Sequence, residues 1–198
     1  MTDGAMHADV AAPSHWMARF APLIPPGARV LDLACGQGRH SRFLAARLCD
    51  VVAIDRDVQA LAALASVPRV TTIAADLEAG PWPLAGQRFD AIVVSNYLHR
   101  PLFPKLLDAL SSDGTWLYET FAAGNADYGR PSNPDHLLAD GELLSLLRSR
   151  LTIVAFEQGR IGGARPAVVQ RVAAVGTGRR WPPSLPADIA AAPGAAVR

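Results

Sequence analysis

Hydrophobic positions along the chain fall into short runs separated by stretches with helical spacing. Val30-Leu31-Asp32-Leu33, Val51-Val52-Ala53-Ile54, Val70-Thr71-Thr72-Ile73-Ala74 and Ala91-Ile92-Val93-Val94 are the runs. They predict strands near 29–34, 51–54, 70–74 and 90–95, with helices near 39–48 and 57–66 between them. Alternation of helices with strands that are apolar on both faces predicts a parallel sheet covered on both sides. Leu102, Leu106, Leu107 and Leu110 recur at helical spacing over 101–110. A turn at 111–114, a fifth strand at 115–119, a helix at 141–150 and strands at 151–157 and 167–175 follow, the last two joined through 159–166. Near the start, Ser14 is placed to cap a short helix that puts Trp16, Met17 and Phe20 on one face. Pro22, Pro25, Pro26 and Gly27 then end it.

Composition narrows the class. The chain has 198 residues, half of them hydrophobic and 19% charged, enough for one domain with a good core. We expect that domain over 14–178, a loose N-terminus at 1–13 and a disordered Pro/Ala-rich tail at 179–198, with Trp181 pinning its first part. Net charge is +1 and no basic stripe is visible, which argues against a nucleic-acid partner. Arg148/Arg150 and Arg179/Arg180 read as solvated surface. Two unpatterned cysteines suggest a reducing compartment, and the five histidines lack ligand spacing, so no metal is expected. No apolar run is long enough to span a membrane, and the first residues lack a secretory pattern. The expected location is the cytoplasm.

The candidate chemistry begins at Cys35-Gly36-Gln37-Gly38, where the first strand breaks into a helix starting near Arg39. Glycine lets a ligand approach bare backbone, and the helix start offers free N–H groups. Asp55 ends the second strand, where nucleotide-binding α/β folds place a carboxylate on ribose hydroxyls. Capping of the helix near Asp57 is the plainer alternative for that acid. Asp32 would repel a pyrophosphate and suit a cation. Ser41 stands where a dinucleotide fingerprint has its third glycine. Asp76-Leu77 pairs an acceptor for an adenine amino group with an apolar neighbour. Cys35 reads as a small loop residue rather than a nucleophile.

With 89–96 as the fourth-strand motif, these pieces resemble the class I S-adenosylmethionine-dependent methyltransferases over roughly 14–175. The resemblance implies a Rossmann-like, doubly wound, mostly parallel seven-stranded α/β sheet with an antiparallel last strand. It implies S-adenosyl-L-methionine as cofactor, with its methionine portion at the Gly36–Gly38 loop and its ribose on Asp55. Asp76 and Leu77 would meet the adenine, with Asn96 and Tyr97 at the pocket floor. The cofactor set expected is Asp32, Ala34, Cys35, Gly36, Gly38, Asp55, Arg56, Asp76, Leu77 and Asn96. Tyr118-Glu119-Thr120-Phe121, Gly129-Arg130-Pro131-Ser132-Asn133-Pro134 and His136-Leu137-Leu138 narrow the likeness to a bacterial branch near the tellurite-resistance methyltransferases.

Ligands of open α/β sheets lie beyond the carboxyl ends of the strands. The long connection 121–139 leaves that rim and is expected to act as a lid. A small-molecule acceptor is expected. His99 is the first choice for a base and Tyr97 for holding the acceptor, while Arg100, Arg130 and His136 could receive an anionic one. A thiolate or a reduced chalcogen anion would need no base. A nicotinamide-dependent oxidoreductase would share Gly36, Gly38 and Asp55 but not Asp32. A non-catalytic module binding the same cofactor stays open.

Overall fold

The computed structural model describes residues 11–163, 165–180 and 182–183. Expectations for Trp181 and for most of the two termini lie outside the described residues. Seven strands form one sheet: β1 (Arg29–Leu33), β2 (Asp50–Asp55), β3 (Val70–Ala74), β4 (Phe89–Ser95), β5 (Leu110–Phe121), β6 (Leu151–Ile161) and β7 (Ala167–Gly176). Their order is β3-β2-β1-β4-β5-β7-β6. The first five strands run parallel, and β7 is antiparallel to both β5 and β6. The expected architecture is therefore the observed one. Sequence order reverses between β1 and β4, which opens a crevice at their carboxyl ends.

Strand residues alternate between two apolar layers. Leu31, Leu33, Ile92, Val94, Trp116 and Tyr118 pack with α4 (Phe103–Ala109) and α5 (Glu142–Leu147) on one side. Val30, Val51, Val93 and Leu117 pack with α1 (His15–Phe20) and α2 (Arg39–Ala46) on the other. Ser14 caps α1 by accepting the Met17 N–H at 3.1 Å, as its sequence position implies. Trp16 donates its indole N–H to the Val172 carbonyl at 3.3 Å, fixing α1 to the sheet.

Several boundaries differ from expectation, for local reasons. The helix expected over 57–66 is only α3 (Val58–Ala62), followed by turns up to Pro68. The residue before a proline avoids helical dihedrals. Asp57 caps α3 by accepting from the Gln59 and Ala60 N–H groups. The helix expected over 101–110 starts as a 3-10 turn, Arg100–Leu102, and becomes α4. Leu110 then opens β5 instead of closing the helix, and 111–114, expected as a turn, belong to that strand. Its pairing with β4 shifts register between Phe89 and Ala91, which absorbs those residues. The helix expected over 141–150 covers only Glu142–Leu147. Arg179, expected as solvated and the start of a loose tail, donates to Thr115 Oγ1 and to the Leu23 carbonyl, each at 2.8 Å.

Gly36 and Gly38 both have positive φ, of 54° and 73°, but for different ends. A Cβ on Gly38 would lie 2.4 Å from the Leu64 methyls, whereas one on Gly36 meets nothing within 4 Å. Gly38 thus lets the start of α2 sit against Leu64 in the turn after α3, and Gly36 leaves the turn open. Gly38→Ala is expected to lower thermal stability by about 2–4 kcal/mol, from left-handed strain plus overpacking. Gly36→Ala should show only the strain, about 1–2 kcal/mol. Paired thermal melts check the difference.

Candidate functional site

Three clefts meet at the carboxyl ends of β1 and β4. The first, about 330 Å³, is lined by Asp55, Arg56, Asp76, Leu77, Asn96 and Tyr97, with His136 and Pro131 from the 121–139 connection. The second, about 310 Å³, is lined by Asp32, Ala34, Cys35, Gly36, His40 and Asn96. The third, about 640 Å³, holds Arg39, Glu119, Tyr128, Arg130, Arg165 and Arg171, again with Asn96. Asn96 is common to all three, and Ala34 also lines the first. Both have left-handed backbone, at φ 57° and 53°, which marks the two strand ends as places where the chain turns sharply.

Charge is arranged differently in each cleft. Asp32 is buried and accepts the Ser41 hydroxyl at 2.5 Å. Burial pushes its carboxyl up to about 6, against hydrogen bonds from Ser41 and the nearby Arg39. Asp55 is held by the chain itself. Its Oδ2 accepts the Gly36 N–H at 2.7 Å and its Oδ1 the Asp57 N–H at 2.9 Å. Asp76 Oδ1 accepts the Glu78 and Ala79 N–H groups at 2.9 and 3.1 Å. Those two bonds hold it below the usual carboxylate range. The capping role weighed for Asp55 belongs to Asp57. Burial, with Asp32 and Asp55 close by, pushes the Cys35 thiol well up, so it stays protonated and is a poor nucleophile. Burial drives His40 down to about 3, and its Nε2 accepts the Ser14 N–H at 3.2 Å. This imidazole is a neutral link between α2 and the start of α1.

Known proteins of similar fold share this kind of rim. Residues 30–113 match the family described as Methyltransferase domain. That stretch is similar to a methyltransferase domain. No curated protein matches it significantly in sequence. Among solved structures, TehB from Haemophilus influenzae superposes with a TM-score of 0.68 at 20% identity, over 81% of this chain. The chain spans 61% of the length of that TehB. A TehB-like SAM-dependent methyltransferase from Corynebacterium glutamicum gives 0.56 at 20% identity, over 79% of this chain and 84% of the other. The glycopeptide N-methyltransferase MtfA, complexed with S-adenosylhomocysteine, gives 0.59 at 22% identity, over 83% and 90%. The fold is the one these S-adenosylmethionine-dependent methyltransferases share.

The residues at this rim could hold S-adenosylmethionine, the cofactor named for those neighbours. Asp32 is a buried carboxylate without a cation within salt-bridge distance among the described residues, suited to an ammonium group. Gly36 leaves room beside it. Asp55 keeps one lone pair on each oxygen after its two backbone bonds, enough for two hydroxyls. The Tyr97 hydroxyl is buried in the first cleft with no well-formed hydrogen bond among the described residues. Burial first, then the neighbouring Glu78 carboxylate, pushes its pKa well up. Gly38, expected to touch the cofactor, serves the packing of α2 and lines none of the three clefts.

The acceptor side departs further from expectation. His99 is half-buried and lies outside the lining of the first cleft. His136 faces the cleft instead. Arg100, considered for an anionic acceptor, is committed elsewhere. It grips the Glu142 carboxylate at 2.7 and 2.9 Å and donates to the Asp135 and Leu137 carbonyls at 2.8 and 2.9 Å. It therefore clamps the 121–139 connection. Buried Asn125 ties the same segment down, donating to the Pro131 carbonyl at 3.0 Å and accepting the Val168 N–H at 3.1 Å. Arg100→Ala should raise the acceptor KM several-fold more than it changes S-adenosylhomocysteine affinity. Steady-state kinetics beside calorimetry checks this. Sequence reasoning missed Arg39, Ser95 and Arg171. Arg39 donates to Ser95 Oγ at 3.1 Å, Ser95 to Glu119 Oε1 at 3.1 Å, and Arg171 lies 3.3 Å from Glu119. An arginine inside the apolar run 167–175 was the available signal for Arg171.

Proposed function

We propose that this chain transfers a methyl group from S-adenosylmethionine to a small-molecule acceptor. The observation that carries the reading is the junction at Asn96, where two clefts suited to the cofactor open into a third, larger one. Bound across the first two clefts, the cofactor supplies a methyl group already activated on a sulfonium. Asp32 and the open turn at Gly36 would hold its amino-acid end, Asp55 the ribose hydroxyls, and Asp76 with Leu77 and Arg56 the adenine side. Tyr97 and Asn96 would line the floor. The remaining work of the chain is to align the acceptor and keep water out, which positioning alone can make large. Phe121, lining both the first and third clefts, and Tyr128 from the same connection suit that enclosing role. A proton-bearing acceptor would give its proton to an imidazole, His136 in the cleft lining or His99 close by in sequence to Asn96 and Tyr97.

The proposed functional unit is 14–178. Among the described residues no helix is long and apolar enough to cross a membrane. A reducing, cytoplasmic setting without nucleic-acid partners belongs to the same proposal and suits the free cysteines Cys35 and Cys49. Calorimetry with S-adenosylhomocysteine, followed by label transfer from methyl-labelled cofactor into small-molecule extract, tests the reading. Binding with transfer supports it. Binding without transfer to any fraction would replace it with a cofactor-binding module. Comparing His99→Ala with His136→Ala in the transfer assay separates the two imidazoles.

A further inference from the structure

The third cleft carries a charge that the chain as a whole does not. Net charge over the full sequence is only +1. Yet four arginines line this cleft, Arg39, Arg130, Arg165 and Arg171, against one carboxylate, Glu119. Arg171 is spent on Glu119 at 3.3 Å and Glu157 at 3.5 Å. Arg39 is held by Ser95. Among the described residues neither Arg130 nor Arg165 has a carboxylate within 4 Å or a hydrogen-bonded partner. Two guanidinium groups without counter-ions facing one concavity present planar forks that match an oxyanion.

Size decides what kind of oxyanion. The cleft is about 640 Å³. A water takes roughly 30 Å³ of liquid volume, so a bare inorganic oxyanion would leave most of the space empty. The walls also include apolar surface, from Phe121, Ile161 and Val169, and the Tyr128 ring stays 43% exposed at the edge. Apolar walls with a few convergent polar groups suit an organic body carrying a charged end.

We propose that the methyl acceptor is an organic anion, a carboxylate or phosphate ester, whose oxyanion is taken by Arg130 and Arg165 and whose body lies along Phe121 and Tyr128. This rests on the methyltransferase reading above and specifies its acceptor. Arg130 sits on the 121–139 connection and Arg165 on the β6–β7 hairpin, so an anion bound by both would draw two separate segments over the cleft.

The test uses the full chain saturated with S-adenosylhomocysteine and calorimetric titration of four probes: benzoate, phenyl phosphate, benzamide and selenite. Benzoate or phenyl phosphate should bind at millimolar concentration or below, at least tenfold tighter than benzamide and selenite. Which of the two binds better separates a carboxylate from a phosphate acceptor. Arg130→Ala and Arg165→Ala should each lose at least fivefold for the preferred anion, with S-adenosylhomocysteine affinity unchanged, and Arg130→Lys should recover part of it. Benzamide binding as well as benzoate, selenite binding as well as either organic anion, no binding of any probe, or arginine variants that bind normally would each overturn the proposal. Failure to bind S-adenosylhomocysteine in the first place would instead sink the reading beneath it.

Discussion

Asp55→Ala is expected to weaken S-adenosylhomocysteine binding roughly 30- to 100-fold. The reason is more than a lost ribose contact. In the folded chain Asp55 joins the turn after β1 to the entry of α3, through Gly36 N–H on one oxygen and Asp57 N–H on the other. Alanine removes both bonds together with the two lone pairs left for hydroxyls. Loss of charge-assisted hydrogen bonds on this scale costs about 2–3 kcal/mol. Asp55→Asn discriminates the parts. One amide oxygen can still serve one backbone N–H, but its NH₂ group would then oppose the other. The asparagine variant should therefore bind nearly as poorly as alanine while melting closer to the parent. Calorimetry with S-adenosylhomocysteine, beside thermal melts, reads both numbers. A folded alanine variant with unchanged affinity would take Asp55 out of the site.

Particular residues show why some of this was legible in the chain and some was not. Apolar runs such as Val51-Val52-Ala53-Ile54 mark strands covered on both faces, and four of the five parallel strands follow from such runs. A cap at the start of α3 was legible because it is a local matter of backbone N–H groups, but it falls to Asp57 and not to Asp55, for which it was weighed. Rim placement of Asp32, Asp55 and Asp76 was likewise readable, because each ends or adjoins a strand of known direction. What the chain could not show is pairing across distance. Arg100 looked like a free cation at a strand end, and only the folded path of 121–139 brings Glu142 and two carbonyls to it. Gly38 looked like a ligand-approach glycine, and only the position of Leu64 reveals its packing duty. Arg165 and Arg171 lie far along the sequence from Arg39, and the antiparallel β6–β7 finish is what carries them to the same cleft.

Asp32→Asn should move stability and binding in opposite directions. In the folded chain burial holds this carboxyl up to about 6, against an ordinary value of 3.8. Between those values the folded state binds more protons than the unfolded one, so stability falls as pH rises through that window and stays lowered above it. Above pH 6 the folded chain keeps a buried charge that the unfolded chain hydrates freely. Asparagine fills nearly the same volume, can still accept the Ser41 hydroxyl, and carries no charge. Near pH 7.5 the variant should therefore be more stable by about 2–3 kcal/mol, or several degrees in Tm, and near pH 3.5 the gain should vanish. If Asp32 faces the ammonium group of the cofactor, the same change should weaken S-adenosylhomocysteine at least tenfold. A carboxylate with a purely structural role, satisfied by Ser41, would not produce this pairing, since its loss would leave binding alone. Melting curves across pH with calorimetry at pH 7.5 separate the cases. A stabilised variant that binds normally would mean the cofactor's charged end lies elsewhere on the rim. A destabilised variant would mean the Asp32 charge is compensated within the fold and held there for packing rather than for a ligand.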